Sequence, residues 1–210
     1  MLKKNKGMLL LTSVIILLPI AVGLLLWNEL PEMIATHFGV DNEPNGWSSK
    51  GFAVFGLPCV LLGIHWIAVL ATAMDSRSRN IHGRMMTLLF WICPAVSLVC
   101  NALTYTYALG LKPDVGLTVM LLLGILYIVL GNYLPKCGQN YSLGIRLPWT
   151  LNDPENWRRT HRVAGWSLTV GGVLILASTP FRLPWLFIII VFLSILLPVA
   201  YSCAYARRHR

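Results

Sequence analysis

FAVFGLPCVLLGIHWIAVLATAM, residues Phe52–Met74, carries no charged side chain and a single imidazole, His65. A helix rising 1.5 Å per residue needs about 20 apolar residues to cross about 30 Å of hydrocarbon, and this stretch is long enough. Backbone groups in lipid must be paired within their own segment, so a run of this length reads as a helix. A transmembrane β-strand would be about half as long and would alternate in polarity. Working outward, comparable runs occur at Met8–Trp27, Met85–Leu109, Val115–Leu134, Val163–Thr179 and Pro184–Tyr205, of which Val163–Thr179 is the shortest. The sequence therefore predicts an all-α, polytopic transmembrane helical bundle of about six spans. Composition agrees: 56% of residues are hydrophobic and 12% charged, the latter roughly half the share in a soluble domain.

The net charge of +9 points to topology rather than to nucleic acid, because of where the cations sit. With a cytoplasmic amino terminus, the cytoplasmic segments hold Lys3, Lys4, Lys6, Arg77, Arg79, Arg84, Lys136, Arg146, Arg158, Arg159, Arg162, Arg207, Arg208 and Arg210. Only Lys50, Lys112 and Arg182 fall outside. The positive-inside rule then selects both termini in the cytoplasm. The first run follows a basic start, as a signal peptide does. It ends in Trp27-Asn28-Glu29-Leu30-Pro31 without a small-x-small cleavage site, so it is expected to be a retained anchor. Trp27, Trp149, Trp157, Trp166 and Trp185 fall near expected helix ends, as an interfacial aromatic belt would place them.

This order divides the chain into an amino-terminal two-helix unit (1–75) with an external loop at 28–51, a third span with its connections (76–114), and a carboxyl-terminal three-helix unit (115–210) with a cytoplasmic loop at 135–162. Pro19, Pro58, Pro94 and Pro198 lie inside spans and can kink them. Gly171-Gly172 either admits a close neighbour helix or breaks the fifth span. Cys59, Cys93, Cys100 and Cys203 lie within spans and Cys137 in the cytoplasmic loop, without a CxxC pair, so neither a disulfide frame nor a zinc site is indicated.

Function is expected in the two long loops, since spans alone need only be apolar. In the external loop, Pro44-Asn45-Gly46 is a turn signal. Glu29, Glu32, Asp41 and Glu43 make the loop acidic, suiting a basic peptide or a cation. His37 alone, without repeated ligand spacing, does not make a metal site; no metal or cofactor is expected, and His37 is expected to be hydrogen-bonded within the loop. In the cytoplasmic loop, Asp153 is placed to cap a short helix starting at Pro154, on which Trp157, His161 and Gly165 share a face. That helix reads either as an interfacial anchor or as one wall of a pocket in which Arg146 and His161 hold an anion. His65 and Asn101, deep in their spans, need partners: each other, the backbone or a cavity.

Two stretches carry a resemblance. Leu30-Pro31-Glu32, His37-Phe38 and Glu43-Pro44-Asn45-Gly46-Trp47-Ser48-Ser49-Lys50 resemble a domain of unknown function found at the front of SdpI-family proteins. Gly131-Asn132-Tyr133-Leu134-Pro135-Lys136, then Gly144-Ile145-Arg146-Leu147-Pro148-Trp149-Thr150-Leu151, then Trp157-Arg158-Arg159-Thr160-His161-Arg162 are similar to the signature at that family's carboxyl end. The family includes a membrane immunity protein that protects a bacterium from its own secreted toxin and holds a repressor at the membrane. The resemblance implies a non-enzymatic immunity and sensing protein of the bacterial cytoplasmic membrane. Its partners would be membrane lipids, an antimicrobial peptide toxin outside and a cytoplasmic repressor or regulator inside. Candidate toxin contacts are His37, Asp41, Glu43, Trp47 and Lys50; candidate internal-site residues are Asn132, Arg146, Trp149, Thr150, Trp157, Thr160 and His161. A lipid- or solute-handling transporter is the alternative, supported by the prolines and His65. A membrane enzyme would lack its usual signatures, since there is no HExxH, no GxSxG and no paired aspartate in a span, and no catalytic residue is assigned.

Overall fold

The computed structural model describes residues 5–81 and 83–209. Of the cations assigned to the cytoplasmic side, Lys3, Lys4 and Arg210 lie outside the described residues. Helix α1 (Lys6–Leu25) leads into a two-stranded antiparallel hairpin, β1 (Met33–Phe38) and β2 (Pro44–Ser49). One π-helical turn (Phe52–Gly56) opens onto α2 (Leu57–Met74), followed by α3 (Gly83–Ala108) and α4 (Val115–Tyr133). Short α5 (Pro148–Asn152) precedes α6 (Pro154–Ser178) and α7 (Pro184–Arg208). All but α5 are long and apolar enough to cross a membrane. Leu10, Leu25, Ile67, Met74, Trp166, Phe181 and Trp185 are largely exposed, a surface that only hydrocarbon or a partner can cover.

Two sequence expectations change and one open alternative is decided. The fifth span is one of the longest, not the shortest: helical structure runs from Pro154 to Phe181. Its polar first turns, with Glu155, Arg158, Arg159 and Arg162, hide it from hydropathy, while Asp153 marks its start by accepting from the amides of Glu155 (2.8 Å) and Asn156 (3.2 Å). Gly171-Gly172 does not break the helix. The external loop is a hairpin whose turn lies at Gly39–Glu43, closed by the Gly39 amide on the Glu43 carbonyl at 2.8 Å, while Pro44-Asn45-Gly46 begins β2. Asn42 supplies the left-handed residue (φ 65°) that Asn45-Gly46 was expected to provide.

The chain forms two compact units. One comprises the chain up to Ala73 together with Thr87–Gly116; the other comprises Met74–Met86 and the chain from Leu117 onward. In the first, polar side chains join the spans. His65 Nε2 meets Thr12 Oγ1 at 3.0 Å, Trp66 donates to Ser13 at 3.1 Å, Ser97 donates to the Ile16 carbonyl at 2.9 Å, and Tyr105 donates to the Pro19 carbonyl at 3.1 Å. Such bonds hold helices together where lipid removes the hydrophobic drive. His65 and Asn101 therefore do not pair with each other: Asn101 donates to the Ser97 carbonyl at 2.8 Å. His65 Nδ1 and Asn101 Oδ1 are buried with no partner among the described residues.

In the second unit, glycines set the helix spacing. A Cβ on Gly131 would press on the backbone of α6, and one on Gly165 would strike Pro135 and the Gly131 carbonyl, so α4 and α6 meet backbone to backbone. Met120, Ile175 and Ile190 fill the space beyond.

Candidate functional site

The hairpin stands on the first unit through one side of its base. Ile34, fully buried, joins Leu30, Ala53, Val54 and Tyr105 in an apolar cluster. Phe38 meets Tyr107 edge-on at 5.1 Å. At the tip, Asn42 accepts from the amides of Val115 (2.8 Å) and Gly116 (3.1 Å) and donates to the Pro113 carbonyl (3.3 Å). One side chain thus caps the start of α4 and fixes the turn. The sequence reading missed Asn42, although an Asn two residues before a strand proline is a fair turn marker.

Of the candidate toxin contacts, Asp41, Glu43 and Trp47 are exposed; Asp41 accepts from the Glu43 amide at 3.2 Å. His37 is also exposed and hydrogen-bonds Asn45 across the strands. Opposite it lies Gly46, where a Cβ would press on the His37 side chain, so glycine is needed for the close pairing. Lys50 differs from this set in its burial. It is 9% exposed, with Nζ 2.8 Å from Glu32, 3.3 Å from the Leu30 carbonyl, 3.4 Å from the Trp27 carbonyl and 4.9 Å above the Trp27 ring. A cation in that position satisfies carbonyls left over where α1 ends.

The α4–α6 segment is arranged differently. Asp75, the single carboxylate of the basic connection before α3, accepts from the Arg77 amide (2.7 Å), the Tyr141 amide (2.8 Å) and the Ser142 hydroxyl (2.9 Å). Burial raises its carboxyl's proton affinity, but these hydrogen bonds outweigh it and hold Asp75 below the ordinary carboxylate range. Arg77 donates to Gln139 at 2.7 Å and lies over the Tyr141 ring. Gln139 in turn donates to the Thr150 and Leu151 carbonyls, each at 2.9 Å. Buried Asn140 folds the next turn by accepting from the amides of Ser142 (2.9 Å) and Leu143 (2.7 Å). Burial foremost, with the nearby Asp75 charge adding to it against an Asn140 hydrogen bond, pushes the Cys137 thiol up to about 11.

The expected face of α6 does form, but it faces inward. Trp157 stacks on His161 with centroids 4.0 Å apart and donates to the Cys137 carbonyl at 2.9 Å, so this tryptophan belongs to the core and not to an interfacial belt. His161 Nε2 accepts the Ile145 amide at 3.1 Å, which places its proton on Nδ1, 2.8 Å from the Trp157 carbonyl. Gly144 lets the chain pass over that ring: its φ is 103°, and a Cβ there would overlap Nε2. Thr150 accepts the Leu147 amide at 2.9 Å, and Thr160 donates to Asn156 at 2.8 Å. Asn156 and Trp149 both reach Ser202 of α7, Trp149 by donating to its hydroxyl at 2.8 Å.

Arg146 remains on the surface, donating to the Tyr141 carbonyl at 2.6 Å, and both nitrogens of His161 are taken by backbone. The two residues therefore do not form an anion pocket. Asn132 is exposed beside Lys136 at 3.3 Å, away from the knot of buried side chains. An opening of about 300 Å³ lies over this knot, lined by Trp149, Asn152, Asp153, Asn156 and His209 among others.

Six spans, one hairpin and a segment sealed by buried hydrogen bonds define a polytopic helical membrane protein. Residues 136–202 match the SdpI/YfhL protein family, and residues 14–62 match a domain of unknown function, DUF1648. The carboxyl-terminal segment is thus similar to the SdpI/YfhL family, with a stretch similar to DUF1648 ahead of it. The chain is 27% identical over 199 residues to "Immunity protein SdpI" of Bacillus subtilis (strain 168), covering 92% of this chain and 90% of the relative. No solved structure matches it.

Proposed function

We propose that this chain is a multi-pass immunity protein of a bacterial plasma membrane, with both termini cytoplasmic, that protects its cell against a secreted antimicrobial peptide. The observation that carries the proposal is the similarity to a curated immunity protein over 92% of the chain. The hairpin supplies a docking surface of matching chemistry. Exposed Met33, Val40 and Trp47 offer apolar contact, and exposed Glu29, Glu32, Asp41 and Glu43 offer negative charge. A cationic amphipathic peptide uses both. His37 and Asn45 shape that surface, while Lys50 holds its base. In the carboxyl-terminal unit, the opening beside Trp149 and His209 is where a cytoplasmic regulator would be met.

The test is survival of a sensitive bacterium expressing the protein at matched membrane abundance, challenged with a panel of secreted peptides. Protection that falls with Glu43→Ala or Trp47→Ala supports the proposal; wild type that protects against none of them sinks it. A transporter is the second reading, favoured by the unpartnered buried atoms of His65 and Asn101. It expects flux into liposomes that His65→Leu abolishes.

A further inference from the structure

A second opening, of about 390 Å³, lies in the carboxyl-terminal unit where α3 begins and α4 ends. Gly83, Arg84, Met85, Tyr133 and Lys136 line it. Two of these five are cations and none is an acid. Arg84 is exposed, with no hydrogen-bond or ion-pair partner among the described residues. Lys136 rests against the Tyr133 ring at 5.0 Å and uses one of its three donors on Asn132. The remaining wall is apolar, supplied by largely buried Met85 and the face of Tyr133. The space is many times a water's share of about 30 Å³ and falls in the range of small-ligand sites. Both elements are ends of spans, so the opening sits at the depth where lipid headgroups meet acyl chains.

We propose that this opening is a binding site for one anionic phospholipid. The phosphate lies between Arg84 and Lys136, and the glycerol backbone and first acyl carbons run along Met85 and Tyr133. A free phosphate shares the charge recognition but makes no use of the apolar wall; an amphipathic anion uses both. Tyr133 and Lys136 belong to the stretch that resembles a family signature, yet the buried knot around His161 takes up neither. The site is independent of the immunity proposal and stands or falls apart from it.

The test uses the full-length protein purified in mild detergent and examined by native mass spectrometry with added phosphatidylglycerol, phosphatidylcholine or inorganic phosphate. The wild type is expected to retain one phosphatidylglycerol in preference to phosphatidylcholine. Arg84→Gln and Lys136→Gln should each lower that retention about fivefold, the usual worth of one cation at a membrane surface. Lys136→Arg should keep it, and so should Arg207→Gln, which removes a cation elsewhere. Because Arg84 and Lys136 are exposed, these variants should unfold at the wild-type temperature, which separates lost binding from lost structure. Equal retention of the two lipids, retention unchanged by both Gln variants, or inorganic phosphate that binds and displaces the lipid would each overturn the proposal.

Discussion

The hairpin between α1 and α2 and the segment between α4 and α6 look alike as sequence: long, rich in Gly, Pro, Asn and Trp, and poor in periodicity. Their structures use those residues in opposite ways. In the hairpin, Asp41, Glu43 and Trp47 face outward, while Ile34, Phe38, Asn42 and Lys50 hold the loop in place. In the α4–α6 segment and the first turns of α6 that it packs on, Thr150, Asn156, Trp157, Thr160 and His161 are buried and spend their hydrogen-bonding groups on one another, on the backbone or on Ser202. In the first, a charged or aromatic residue at Asp41, Glu43 or Trp47 is exposed. In the second it is part of the fold, since an unpaired buried polar group would cost about 1–3 kcal/mol. Loss of function from substitution therefore has different causes in the two regions.

The largest expected effect tests the buried side. Gly144→Ala forces a side chain into a backbone conformation reserved for glycine and onto His161, and should destabilise the protein by about 2–4 kcal/mol. Thermal unfolding in detergent measures it. A Gly144→Ala protein as stable as wild type would mean that the segment is loose and that the contrast with the hairpin fails. Lys50→Met comes next, at about 1–3 kcal/mol, because it leaves the Trp27 and Leu30 carbonyls without a donor. If Lys50→Met instead leaves stability intact and removes protection, Lys50 belongs to the contact surface after all.

Acid sharpens the comparison further. Asp75 is held below the ordinary carboxylate range in the folded protein, so its stabilisation is fully present above that range, about pH 4, and is lost as pH falls through its lowered value. Hydrogen exchange at the Tyr141 amide should accelerate there in wild type, and Asp75→Asn should show weak protection with no such pH dependence. The smallest stability effect is expected on the hairpin. Trp47→Ala and Glu43→Ala should stay within about 0.5 kcal/mol of wild type, as exposed substitutions do, while lowering protection. A clear drop in unfolding temperature would show that this surface, too, is structural.

How much of this was legible in the sequence follows from how local each cause is. The spans could be read because lipid imposes a length and a polarity on every one of them. The start of α6 could be read because Asp153 and Pro154 act on the next turn. The hairpin's strands were hidden because each is only six residues long and β2, PNGWSS, is polar and contains a proline and a glycine. Its turn was misplaced because the Asn45-Gly46 signal competed with Asn42, whose role depends on Val115 and Gly116, over 70 residues away. The same holds for Asp75 with Tyr141 and Ser142, more than 60 residues on. A lone acid in a basic connection was the only local hint. The candidate residues of the α4–α6 segment were found as a group, but nothing local told Arg146, which is exposed, from His161, which is not.

The unbroken course of α6 has a mechanical consequence. Its 25 residues make a rod about 37 Å long at 1.5 Å per residue. Its first turns carry the stacked Trp157–His161 pair, and its later turns press against α4 and α7. Because its helical course is unbroken, a tilt or slide of its later turns would shift the rings carried by its first turns. Gly144 and Ile145 ride on those rings and must follow.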